Sequence, residues 1–343
     1  MACNCRELCT DFYKHRVETM LEQDRREPFE AAYSLDALSN MHEAERRHGV
    51  RRWFQEPPGA RTTAAAGITF KKRQTLVIWL NELCAEFRFS SRTFEMAVQC
   101  LDDYVYHRRA QIALSRYQCL GTACVRLAAK MQEPDNGSCP SADEYAYMTE
   151  YTASCKEICA VEYALVTSTA PRSLTVPTPH SFLLHYRGLA SCRAWDQSEE
   201  TRTKADALSS YYCELSSLVP DMLAADHDAV STGFLPSTIA AASLVIARAT
   251  LDMPPWCFDL QRISGVDALD HHAIHECAKK LVDFQNAILD STSLRATQDS
   301  NSIFLKYKEV SSLRPPSVLP SSASSPPLST LFCAEEAICD EAK

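Results

Sequence analysis

Several groups of residues in this chain have the types and spacing that chemistry could use. The first lies in KKRQTLVIWLNELCAEF, residues 71–87. Leu76, Trp79 and Glu82 follow one another at intervals of three. On a helix they fall toward one side, where the plain reading is a core helix and a surface that docks a partner is the other. The second group is Lys130, which closes the apolar stretch RYQCLGTACVRLAAKM, and Glu162, which interrupts SCKEICAVEYALV. A charge set into an apolar helix needs a partner, inside the chain or across an interface. The third is DHHAIHEC, residues 270–277, with His271 and His275 one turn apart and Cys277 nearby. That spacing could hold zinc, but no fourth ligand accompanies it and the segment reads as an amphipathic helix. Cys3, Cys5 and Cys9 form only a loose group, without the paired C-x-x-C of a zinc site. The sequence has no phosphate-binding G-x-x-x-x-G-K-[ST], no H-E-x-x-H and no nucleophile elbow. The expectation is no metal and no cofactor.

Helices must position these residues. In 70–88, Leu76, Leu80, Leu83 and Phe87 recur every three or four residues. In 91–109, Phe94, Val98, Leu101 and Val105 align, and Ser90 or Ser91 can cap the start. Segment 113–132 is apolar nearly all round, so it should be a buried centre. Further helices are drawn at 141–150 and 154–168, the latter opened by Ser154 with Glu157 three residues on, a capping box. After TAPRSLTVPTP come 178–190, 200–222, 235–251, 256–265 and 269–289. Pro236 stands at a tolerated first-turn position, and STIAAASLVIARAT is the most apolar segment of this set. An earlier helix is expected in YSLDALSNMHEAERRH, followed by the linker EPPGARTTAAAG, residues 56–67.

The architecture is therefore read as all-α: two tandem five-helix bundles, each around a buried third helix. The expected divisions are an irregular N-terminus at 1–32, a helix and linker at 33–69, a first bundle at 70–170, a second at 171–311 and a disordered tail at 312–343. The tail is Pro- and Ser-rich and carries Ser325-Pro326, a site that a proline-directed kinase could use.

Composition sets the outer limits. The chain has 343 residues and only 8 glycines, which favours helices over tight-turned sheets. Its net charge of −9 argues against a general nucleic-acid binder, and RRHGVRR and KKR read as solvated faces. No apolar run approaches the roughly 18 residues of a membrane span. MACNCRELCTDFYKHR does not read as a signal peptide. Sixteen cysteines, among them Cys84, Cys100, Cys119, Cys124, Cys155 and Cys159, then read as reduced and mostly buried thiols of an intracellular protein. Nucleus and cytoplasm both stay open.

The segments also carry a family resemblance. KRQTLVIWL resembles the cyclin-box opening M-R-x-I-L-V-D-W-L. MAVQCLDDYV resembles L-A-V-x-x-L-D-R-F-L, and QCLGTACVRLAAKMQE resembles L-Q-L-x-G-x-x-x-x-x-x-A-S-K-x-E-E. EYAYMTEYTASCKEICAVEYALV is similar to the run with Y-x-T-D-x-x-Y and a later M-E pair. FLPSTIAAASLVIA and FLKYKEVSS are similar to Y-L-P-S-x-I-A-A-A-A and K-Y-K-x-S. Together, over about residues 33–312, these motifs resemble the cyclins, most closely the mitotic A/B type.

The resemblance implies a regulatory subunit, not an enzyme. It implies a cyclin-dependent kinase as partner, whose αC helix and activation loop the cyclin positions. It casts Lys130 and Glu162 as kinase-contacting residues, with Met131 beside them. It casts Arg73 and Asp102 as an internal pair linking two helices, which serves packing. It also implies a docking groove for Arg-x-Leu peptides of substrates and inhibitors. Leu76 and Trp79 would be its floor, Glu82 would receive the arginine, and Gln118 would bond the peptide backbone. On residue pattern alone, Trp79 reads equally as core. Lys72 and Thr75 stand where the family has Met and Ile, so the groove should be weaker or tuned to another motif. Asp103 replaces the usual Arg, and Met131 and Arg172 stand near positions usually Phe, which bears on which kinase is bound. RQTL matches the minimal destruction signal, but it falls inside a predicted helix. The rivals to an activating cyclin are a scaffold cyclin that binds without activating, and a cyclin-fold transcription factor. The acidic balance disfavours the second.

Overall fold

The computed structural model describes residues 31–47, 68–108, 112–133, 139–168, 174–191, 198–219, 222, 233–253, 271–290 and 302–316. Cys3, Cys5, Cys9, the linker 56–67, Arg172, the helix expected at 256–265 and Ser325-Pro326 lie outside the described residues.

The first half opens with α1 (Ala31–Arg47), α2 (Phe70–Glu86) and α3 (Ser91–Arg108). A short 3-10 turn, Leu114–Arg116, leads into α4 (Tyr117–Gln132), and α5 (Ala142–Met148) and α6 (Cys155–Ser168) follow. The second half holds α7 (Pro179–Ser191), α8 (Glu199–Ser216), α9 (Pro236–Thr250), α10 (His271–Asp290), α11 (Ser302–Lys306) and α12 (Lys308–Ser311). Among the described residues there is no β-strand beyond one isolated bridge position.

Local chemistry fixes the helix starts. Thr69 caps α2 by accepting from the Lys72 amide at 3.3 Å. At α6 the expected box forms: the Ser154 amide donates to Glu157 at 2.9 Å and the Glu157 amide donates back to Ser154 Oγ at 3.3 Å. Those bonds, together with Arg116, pull the Glu157 carboxyl down to about 2. Ser141 and Glu144 repeat the device at α5, although SADE was not read that way from the sequence. Pro236 occupies the first turn of α9, where its missing N–H costs nothing.

The two buried centres are α4 and α9. Helix α4 packs against α3 and α6, and α9 packs against α7, α8 and α10. Small residues permit this: Ala123, Cys124, Ala128 and Ala129 are fully covered in α4, as are Ala240, Ala241, Ala242 and Ala247 in α9. Gly121 is the tightest point. A Cβ there would lie 3.0 Å from Leu80 Cδ2 and 3.2 Å from both Leu76 δ-carbons, so a larger residue would push these side chains aside by a few tenths of an ångström.

Buried polar bonds join the two halves. Arg73 makes two 2.7 Å bonds to Asp102 on α3 and a third, also 2.7 Å, to the Ser217 carbonyl beyond α8. Gln74 donates to the Leu218 carbonyl at 2.9 Å. These contacts account for a correction: α8 ends at Ser216, not 222, because its terminal carbonyls are turned toward α2. Glu214, fully buried, accepts from Asn81 at 3.0 Å, Ser91 at 2.5 Å, Lys306 at 2.5 Å and Tyr307 at 3.0 Å. Its donors come from α2, α3 and the α11–α12 segment, which was not drawn as helix from the sequence. Burial alone would raise the Glu214 carboxyl, but Lys306 and Ser91 reverse this and hold it below the usual carboxylate range. Helix α1 lies on the second half: Glu45 accepts from the Ser237 amide at the start of α9, 3.1 Å away, and His42 stacks on Phe182 at 5.0 Å. Beyond α12 the chain stays attached through 316, with Gln285 donating to the Leu313 carbonyl at 3.0 Å.

Candidate functional site

Two faces carry the residues singled out from the sequence. On the first, the C-terminal end of α4 meets α6. Lys130 Nζ donates to Glu162 Oε1, so the two charges, 32 positions apart in sequence, form one pair. Glu162 also receives Arg126, one turn back on α4. The Glu162 side chain is only 10% exposed, while that of Lys130 is 42% exposed. The carboxylate is thus held from below by Arg126 and covered from outside by Lys130. Burial and the neighbouring Arg126 push the Lys130 ammonium below its ordinary value, while the Cys139 and Cys159 thiols act the other way. Arg126 was missed in the sequence. Its signal was available, since Arg126 stands four residues before Lys130 and faces the same partner.

Exposed apolar residues lie near this pair along the same two helices. Met131 is 56% exposed, Tyr163 71% and Val166 46%, all within one turn of Lys130 or Glu162 along their helices. Isolated exposed apolar residues are ordinary, but three beside a half-buried ion pair match the anatomy of a binding surface.

The second face is the outer side of α2. Trp79 is partly buried and packs on the core, with part of its side chain exposed on this side of α2. Glu82, one turn on, is half-buried, and that burial raises its carboxyl above the ordinary value. Leu76 is buried beneath α4 at Gly121, so the open apolar surface belongs to Trp79 more than to Leu76. Gln118, three residues before Gly121, lies alongside, with Oε1 accepting from the Thr152 hydroxyl at 3.2 Å. Lys72 and Thr75 are exposed at the N-terminal end of the stripe, and Thr75 turns its hydroxyl back to the Lys71 carbonyl at 3.0 Å. Along this side of α2, Lys72 stands toward one end and Glu82 toward the other, with Trp79 between them.

The remaining residues fall into the fold. Arg73 and Asp102 are 3% and 6% exposed and lock α2 to α3. Arg73 and Leu76 of RQTL are both buried in α2. Asp103 is buried. In α10, Cys277 points into the core while His275 is exposed, so the two diverge. Among the described residues no group of three His, Cys, Asp or Glu side chains is placed to hold a metal ion. Among them, too, no helix is long and apolar enough to cross a membrane.

The two helical halves match families of known proteins. The family profile described as "Cyclin, N-terminal domain" matches residues 36–168, and "Cyclin, C-terminal domain" matches residues 177–316. The chain belongs to the cyclin family. Among its relatives, human Cyclin-A1 is 28% identical over 293 residues, covering 84% of this chain and 54% of its own length. The G2/mitotic-specific cyclin-A of Patella vulgata is 27% identical over 292 residues, covering 84% of this chain and 59% of its own. The chain therefore spans little more than half the length of these relatives. In structure it is similar to a viral cyclin from herpesvirus saimiri, with a TM-score of 0.51 and 18% identity over 72% of this chain and 96% of that one, a likeness of fold.

Proposed function

We propose that this chain is the regulatory subunit of a cyclin-dependent protein kinase in cell-cycle control. In this reading it binds the kinase through the α4–α6 rim, positions the kinase αC helix and activation loop, and recruits substrates along α2. The observation that carries the reading is the Lys130–Glu162 pair, two charges from separate helices set at the edge of exposed Met131, Tyr163 and Val166. Docking a mobile kinase segment here would cover the apolar residues. It would also exchange part of the internal pair for bonds to the partner's backbone. A cation and a carboxylate oriented by Arg126 need little reordering for that exchange, and preorganisation lowers the cost of association. On α2, Trp79 would seat the leucine of an Arg-x-Leu peptide and Glu82 would receive its arginine, with Gln118 alongside for the peptide backbone. The relatives named as A-type and G2/mitotic-specific cyclins support the cell-cycle assignment.

The test is reconstitution. Added to a purified cyclin-dependent kinase, the chain should raise phosphorylation of a histone-type substrate, and the Lys130→Ala Glu162→Ala double variant should not. Kinase capture with no gain in activity would favour the scaffold reading. Activation by the double variant equal to that of the original chain would place the kinase interface elsewhere.

A further inference from the structure

Two exposed aromatic rings have no part in the faces described above. Tyr147 is 67% exposed and Tyr151 is 68% exposed. Their rings meet edge to face, with centroids 6.1 Å apart. Tyr147 lies in the last turn of α5, and Tyr151 lies in the turn that leads to α6. Glu150 and Tyr151 both have left-handed backbones, with φ of 52° and 57°. The Tyr151 amide donates to the Ala146 carbonyl at 2.9 Å, and the Glu150 amide donates to the Tyr147 carbonyl at 2.8 Å. A bonded turn thus fixes where the Tyr151 ring leaves the surface.

The same stretch is acidic. From 131 to 155 the chain carries Glu133, Asp135, Asp143, Glu144 and Glu150 and no Lys, Arg or His. Asp143, Glu144 and Glu150 are exposed. Asp143 and Glu144 stand four and three residues before Tyr147 on α5, which makes both its neighbours on the helix surface. Glu150 lies between the two tyrosines in sequence. The Ser141 amide and hydroxyl donate to Glu144 and hold its carboxyl below the ordinary value, so it is charged at neutral pH. The Cys155 thiol donates to Asp143. The face of an aromatic ring is electron-rich. An ammonium or guanidinium over such a face gains a cation–π contact, and carboxylates beside it add attraction. The surface therefore fits a cationic segment. A second copy of the chain fits poorly, because a twofold contact would set these carboxylates against themselves. Phosphate-bearing partners are repelled for the same reason.

This surface adjoins the residue read as holding a docked peptide. Thr152, next after Tyr151, donates its hydroxyl to Gln118 Oε1 at 3.2 Å. Consecutive Cα atoms are about 3.8 Å apart, so a peptide held at Gln118 reaches the tyrosines within a few residues. We propose that Tyr147 and Tyr151, with Asp143, Glu144 and Glu150, form a second docking surface that takes a lysine or arginine of the peptide lying along α2. The partner is named through the α2 docking reading above. What is added is a requirement on that partner: a basic residue a few positions from its Arg-x-Leu core.

The test uses the full chain and fluorescein-labelled peptides read by anisotropy. Each peptide has an Arg-x-Leu core, with a pair of lysines before it, a pair after it, or alanines at both places. One lysine peptide should bind at least about threefold tighter than the alanine peptide, with the gain shrinking at about 0.5 M salt. Tyr147→Ala Tyr151→Ala should remove that gain and leave binding of the alanine peptide unchanged. Tyr147→Phe Tyr151→Phe should keep it, since the ring face is retained. No gain from either lysine peptide, or an equal gain in the double alanine variant, would overturn the proposal. A second arm couples the lysine peptides to the chain with a carbodiimide and maps the links by mass spectrometry. Links at Asp143, Glu144 or Glu150 are expected, and links only at other carboxylates would overturn the proposal. A lysine peptide with a scrambled core separates the two readings. If it links at these residues while the alanine peptide does not bind, the cationic surface stands and the α2 reading fails.

Discussion

Replacing Lys306 by methionine removes one cation from the centre of the molecule and leaves Glu214 behind. The Lys306 side chain is 6% exposed and that of Glu214 is 0% exposed, at an N–O distance of 2.5 Å. Breaking a buried pair from one side costs about 3–5 kcal/mol, because an uncompensated charge stays buried. Three neutral donors, Asn81, Ser91 and Tyr307, still face the carboxylate, so the lower end of that range, about 3 kcal/mol, is expected. Methionine keeps most of the lysine stem's volume, so packing changes little. Urea unfolding followed by circular dichroism measures the loss as a fall in midpoint at constant slope. In a Glu214→Gln background the same Lys306→Met change should cost under about 1.5 kcal/mol, since no buried anion remains to be orphaned. Equal costs in the two backgrounds, or a loss below about 1 kcal/mol in the first, would refute the assignment of this pair as the buried ionic bond that fixes α11 to α8.

Other outcomes follow from the same structure. Glu95 is buried, accepts from the His180 amide at 2.7 Å at the start of α7, and is pushed by that burial up to about 7 from 4.5. Its folded-state value lies above the unfolded one, so stability falls as pH rises from 4.5 to about 7, by about 3 kcal/mol from this group. Glu95→Gln should therefore raise the urea midpoint at pH 8 and leave it near unchanged at pH 4, and no gain at pH 8 would contradict this. Gly121→Val should cost about 2–3 kcal/mol, because its side chain would push Leu76 and Leu80 aside, as thermal unfolding would show. Glu82→Lys should lower affinity for an Arg-x-Leu peptide by at least about tenfold in fluorescence anisotropy while kinase capture is retained, and loss of both together would place Glu82 in the fold rather than in docking.

Much of the architecture was legible because helix periodicity is local. The apolar stripes of KKRQTLVIWL and MAVQCLDDYV, and the all-round apolar LGTACVRLAA and STIAAASLVIA, each announce a face and a depth without knowledge of the partner. Ser154 with Glu157 announced a helix start for the same reason. What the pattern could not reveal was long-range. Glu214 was not singled out from the sequence, and only the fold brings it to Lys306, 92 residues away. The end of α8 was drawn late because the groups that satisfy its carbonyls, Arg73 and Gln74, come from the other bundle. Lys130 and Glu162 were singled out through the resemblance, and a partner inside the chain was one of the two readings open for them, the one the structure shows. The thiols of Cys139 and Cys159 are exposed but looked like the buried ones, since composition does not separate an inward face from an outward one.

The central claim is that the Lys130–Glu162 rim receives a cyclin-dependent kinase. Kinase affinity measured by calorimetry, for the original chain and for Lys130→Ala Glu162→Ala, tests it most directly. The account predicts micromolar or tighter capture by the first and a loss of roughly 100-fold in the second, at matching helical content. Undiminished affinity in a folded double variant would contradict it.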